Sequence, residues 1–121
     1  ATIIGTGTAS LAGDITLNFG VTFDGTGTLT SSGIISGPAY GFTKNGSGTL
    51  NLSGNNTFTG NNTINTGIVS AQHANALGGT GGTSTIAAAG TLDINNVSIS
   101  ENININGGTM TGTGSAALGT G

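Results

Sequence analysis

Few residues in this chain could do chemistry. Four are acids, Asp14, Asp24, Asp93 and Glu101, and beside them stand one lysine, Lys44, and one histidine, His73. Hydrolysis of a glycosidic bond needs two carboxyl groups flanking one scissile bond. Asp14 and Asp24, like Asp93 and Glu101, are separated by about half of the repeat described below, so neither pair stacks at one place. Asp14 follows Gly13 and Asp24 precedes Gly25, positions where an Asp side chain caps its own turn. His73 has no cysteine and no second histidine to join it as a metal ligand, and reads as an exposed loop histidine. Lys44 among asparagines suggests an isopeptide crosslink only if an acid is placed beside it; the plain reading is a solvated lysine. The clusters Gly5-Thr6-Gly7, Gly25-Thr26-Gly27, Gly46-Ser47-Gly48 and Gly112-Thr113-Gly114 lack the Gly-Lys-Ser/Thr and helix of a phosphate loop, and no Asp follows Gly-Gly as calcium-binding nonapeptides require. No catalytic, cofactor-binding or metal site is expected, and no cofactor.

What positions these residues is a thin, sparsely charged chain. Of 121 residues 34% are apolar, 4% aromatic and 4% charged, with a net charge of −3. Nucleic-acid binding needs several Lys or Arg on phosphates, and one lysine cannot supply them. A basic membrane-surface role fails for the same reason, and no apolar run reaches the roughly 18 residues of a spanning helix. With no cysteine, stability must come from backbone ladders and stacked side chains rather than disulfides. The opening ATIIGTGTAS has no basic n-region, so export would rely on a segment outside this stretch.

Those ladders are written as a repeat. The marker Gly-x-apolar occurs at Gly7-Thr8-Ala9, Gly27-Thr28-Leu29, Gly48-Thr49-Leu50, Gly67-Ile68-Val69, Gly90-Thr91-Leu92 and Gly108-Thr109-Met110, with its apolar residue recurring after 20, 21, 19, 23 and 18 positions. Each marker opens a short alternation of apolar and polar residues, the period of a strand with one buried face. A unit this short cannot bury a face alone, so the copies must stack. The expectation is an all-β, right-handed parallel β-helix (β-solenoid) of about six turns over 1–121, a single segment, with Leu29, Leu50, Val69, Leu92 and Met110 in one inward ladder. Corner Asn residues should bond their own kind in the next turn. Pro38 should mark a corner. Residues 71–85, AQHANALGGTGGTST, read as an enlarged corner that accounts for the 23-residue interval, with room for one helical turn at 71–77.

Residues 41–70, GFTKNGSGTLNLSGNNTFTGNNTINTGIVS, carry the clearest copy. Gly41, Lys44, Gly46, Gly48, Leu50, Leu52, Gly54, Asn56, Phe58, Gly60 and Gly67 fall on the pattern of the autotransporter-associated β-strand repeat, which this stretch resembles. Phe42 replaces the usual aliphatic residue, and Asn61-Asn62 stand where Gly is common. The resemblance implies an extracellular, non-enzymatic structural segment at the bacterial cell surface, part of an exported passenger or adhesin stalk. The charge census and the short apolar runs already leave no nucleic-acid partner and no membrane insertion of this segment, and any host or cell-surface ligand stays open.

Two other readings stand beside it. Both ends are strand-like and nearly uncharged, so the partners would be adjacent repeats or copies of the chain itself, and a head-to-tail filament is the alternative. Thr-x-Thr runs (Thr6 with Thr8, Thr26 with Thr28 and Thr30, Thr57 with Thr59, Thr109 with Thr111 and Thr113) suggest an ice-binding β-solenoid as a minor alternative. Against that, the runs are expected to fall at different places in the turn and to share no face.

Overall fold

The structure, a computed structural model, describes residues 1–119. Gly residues break the chain every few positions, and between them β-branched and aliphatic residues alternate with Thr, Ser and Asn. Strands form because such side chains pack well on a pleated surface. Three short strands make a turn. The first is β1 (Thr2–Gly5), β2 (Thr8–Leu11) and β3 (Ile15–Thr16); the second is β4 (Val21–Gly25), β5 (Thr28–Ser31) and β6 (Ile35–Ser36). The third turn holds β7 (Phe42–Lys44) and β8 (Thr49–Leu52). In the fourth and fifth, two strands merge around the corner into β9 (Asn62–Ala71) and β10 (Thr83–Asn95), the latter followed by β11 (Ser98–Ile99). The sixth is β12 (Asn102–Asn106), β13 (Thr109–Thr113) and β14 (Ala117–Leu118).

Every strand pairing is parallel to the same strand one turn away, giving a β-solenoid of about six turns with no helix among the described residues. The first face stacks β1, β4, β7, the start of β9, the start of β10 and β12. The second stacks β2, β5, β8, the end of β9, the end of β10 and β13. The third is interrupted. It holds β3 on β6 and β11 on β14, while between them Thr57 and Phe58 donate to the Ile35 carbonyl and residues 72–82 leave the ladder.

The core is a set of inward columns. Ala9, Leu29, Leu50, Val69, Leu92 and Met110 are partners in register, so the expected ladder is present. Its middle members are buried and Met110, in the last turn, is half-buried. A second column runs Ile3, Phe23, Lys44, Ile64, Ile86 and Ile105. Phe23, Phe42 and Phe58 meet edge to face at 6.0 and 6.1 Å, a geometry that aromatic quadrupoles favour.

Two expectations need adjustment. The interval of 23 residues has two sources: Asn62 pairs Ser84 across 22 positions, and a bulge between Ile86 and Ala89 adds one more before Val69 meets Leu92. Residues 71–77 form no helical turn, because Ala71 still belongs to β9 and the bonds that follow, Ala76 N–H to His73 and Gly78 N–H to Asn75, each span three residues. Ile103 and Ile105 keep inward phase, yet Ile105 is 52% exposed because its turn is the last one described.

Candidate functional site

Three of the Gly-x-Gly clusters, at 5–7, 25–27 and 46–48, become stacked corners, while Gly112 and Thr113 of the fourth lie in β13. Gly27 N–H donates to Gly5 O and Gly48 N–H to Gly25 O, each at 3.0 Å, and Ile68 N–H donates to Gly48 O at 3.1 Å. The donors and acceptors a phosphate loop would offer are thereby spent on neighbouring turns. Gly67 has φ 74°, and a Cβ there would run into the carbonyls of Gly46 and Gly48 and the Nζ of Lys44. Glycine is required at this corner both for the left-handed backbone and for the close approach.

Lys44 departs from its expected place. It is 3% exposed, not solvated, because alternation on β7 turns Phe42 and Lys44 inward together. Its Nζ curls to the corner and donates to the carbonyls of Asn45 at 2.6 Å and Gly46 at 3.0 Å. Burial pushes its pKa below the usual lysine value, and the charge of Asp24 opposes that shift. The sole lysine closes a corner from inside.

Each acid has its own partner. Asp14 accepts the Ile34 amide of the next turn at 2.8 Å, and Asp24 accepts the Gly25 amide at 2.6 Å. Asp93 takes the hydroxyls of Thr111 at 2.7 Å and Thr113 at 3.0 Å. Glu101 accepts the Ser84 hydroxyl on Oε2 at 3.1 Å while its Oε1 is buried without a partner. Burial raises the Glu101 pKa to about 7, and the Ser84 hydrogen bond pulls the other way. His73, expected in the open, is half-buried, and its Nδ1 accepts the Asn75 amide at 3.0 Å within the wide corner.

Beneath that corner lies a cavity of about 260 Å³, walled by Leu77, Gly78, Gly82, Ser98, Glu101 and Asn102 among others. Glu101 is its one charged lining residue, so no second carboxylate or cation stands in the wall to divide acid and base roles with it.

Two asparagines carry more than their sequence suggested. Asn56 Oδ1 accepts from Ile35 N–H and its Nδ2 donates to Ala76 O; Asn62 Oδ1 accepts from Phe42 N–H and its Nδ2 donates to Leu77 O and Ser84 Oγ. Each buried amide thus ties three successive turns where the chain swings off the ladder. Two other Asn pairs behave as expected: half-buried Asn65 donates to Asn45 at 2.9 Å, and exposed Asn75 to Asn55 at 2.8 Å. The signal for the buried pair was phase, since Asn56 and Asn62 share inward parity with Phe58 and Ile64.

Lys44, the glycine corner, Asn56, Phe58 and Asn62 all belong to one turn and its junction with the next. Comparison with known families singles out the same stretch. Residues 42–71 match the family described as Passenger-associated-transport-repeat. The match covers 30 of 121 residues, and the punctuation of that stretch is what the geometry uses: Gly at the corner, Lys beneath it, Asn between turns. No curated protein and no solved structure matches the chain significantly.

Proposed function

We propose that the chain is a non-enzymatic structural segment of an exported passenger or adhesin stalk, displayed outside the bacterial cell. The observation that supports this reading is the position of the passenger repeat, in the middle of one continuous stack, where it shares inward columns with the turns on either side. A solenoid of this kind is a rod whose length grows with each turn, which suits holding distal parts away from a surface. Placing the chain between a signal sequence and a membrane-anchored barrel in a Gram-negative host tests it: the segment should be reached by external protease in intact cells, and retention inside would overturn the reading. Hydrolysis of a polysaccharide or peptide that disappears on changing Asp14, Asp24, Asp93 or Glu101 would overturn the non-enzymatic part.

One observation favours a second reading, a filament of stacked copies. Inward positions of the sixth turn, Ile105 and Leu118, are 52% and 53% exposed among the described residues, and a copy stacked in register would cover them. A longer chain supplies that turn in cis and a second copy supplies it in trans. Sedimentation and electron microscopy of the isolated chain distinguish them, because filaments should vanish when charges are placed at Thr8 and Thr111, whereas a chain that stays monomeric throughout rejects assembly.

A further inference from the structure

The threonines do share a face, contrary to the sequence expectation. Register places Thr8, Thr28, Thr49, Ile68, Thr91 and Thr109 in one outward column of the second face, and Ser10, Thr30, Asn51, Ser70, Asp93 and Thr111 in the column beside it. Of the four Thr-x-Thr runs, three contribute to these columns, and Thr57 with Thr59 lies on the third face. Ranks repeat at the strand spacing of about 4.8 Å, and the two columns stand about 6.6 Å apart along the strand. The result is a two-dimensional lattice of side chains held rigidly by the stack beneath.

Its chemistry narrows the partner. In the first column none of the five threonine hydroxyls takes part in a side-chain hydrogen bond among the described residues, whereas Thr30, Thr111 and Thr113 do. Five hydroxyls and five methyls therefore stand in register, interrupted once at Ile68, exposed at Thr8 and Thr109 and half-exposed at Thr28, Thr49 and Thr91, on side chains whose branched Cβ limits rotation. Asp93 is the single charge in either column, and it is occupied by Thr111 and Thr113. An ionic or mineral surface would find little to bind. A crystalline polysaccharide would call for aromatic platforms, but Phe23, Phe42 and Phe58 are inside and the exposed pair Phe19 and Tyr40 sits at the corner leading into the first face. A protein partner would need a large apolar anchor, and the column offers Ile68 alone. What such a surface can order is water: alternating methyls and free hydroxyls at a fixed repeat, close to the oxygen repeat of ice, hold solvent in lattice positions without the strong local pull of charge.

We propose that the second face binds ice, with the column Thr8, Thr28, Thr49, Thr91 and Thr109 as its centre and Ser10, Thr30 and Asn51 as its flank, Ser70 being buried in that column. The reading is independent of the export proposal, since it rests on outward residues and that one on the repeat.

The test uses the whole chain, fluorescently labelled, beside a slowly grown single ice crystal, with ice recrystallisation followed in parallel. The chain should coat and enter the ice and slow recrystallisation. Thr49→Lys and Thr28→Lys, each confirmed as folded by circular dichroism, should fall to the level of an unrelated soluble protein. Thr57→Lys, a threonine of the third face, should bind as the parent does. Exclusion of the parent chain from ice overturns the proposal. Equal loss in all three variants overturns it, as does retention on crystalline cellulose or chitin without ice uptake.

Discussion

Lys44 shows how one side chain can be recruited by its neighbours' phase. Its ammonium serves two corner carbonyls from within, so Lys44→Met, close in volume, should leave the Asn45 and Gly46 carbonyls short of that donor and destabilise by about 1–3 kcal/mol, read as a lowered thermal midpoint. Glu101 gives the opposite kind of prediction, one in pH. Its carboxyl holds a proton up to about 7 in the folded chain against an ordinary 4.5, so the native state binds more protons than the unfolded state between these values. Stability should therefore be greatest below pH 4.5, decline as pH rises to about 7 and change no further from this group. Glu101→Gln should flatten that decline in thermal melts recorded across the range. Ser31 is the third case: its buried hydroxyl has no partner, so Ser31→Ala should hold or raise the melting temperature rather than lower it.

At the scale of the strand, each inward residue is felt by the turns above and below. Leu50 is 1% exposed between Leu29 and Val69, and Leu50→Ala should cost about 2–5 kcal/mol because neither neighbour can collapse into the gap without leaving its own register. Asn62→Ala should lower the melting temperature comparably, since the Phe42 amide and the Leu77 carbonyl lose one partner together. The inward ladder was readable before any coordinates because Gly-x-apolar recurs with little drift and alternation fixes which residues point in. The same alternation contained the inward turn of Lys44 and Asn62. Residue type argued the other way, as a lysine or asparagine is ordinarily exposed, and here backbone phase outweighs side-chain preference. The bulge at 86–89 was hidden because Ala87, Ala88 and Ala89 give no contrast of polarity from which to count. The shared threonine face was hidden for a different reason: the intervals of 18 to 23 residues look irregular along the chain, and only pairing shows that corners absorb the differences.

For the whole molecule, the stack has no centre in the sense of a globule. Turns bond to adjacent turns alone, so amide hydrogen exchange should be slowest in the third and fourth turns, around Leu50 and Ile64, and fastest in the first and sixth. Equal protection from end to end would show that the chain unfolds as one unit instead. The pairing offset of 18 to 23 residues also sets a rule for how the chain can acquire its structure. A segment of that length needs nothing that comes later in the sequence; it needs a finished turn to land on. A chain that becomes available from one end can therefore fold progressively, each turn settling on the one before it. The short period that keeps the core thin thus lets the solenoid grow turn by turn, each new turn templated by the one beside it.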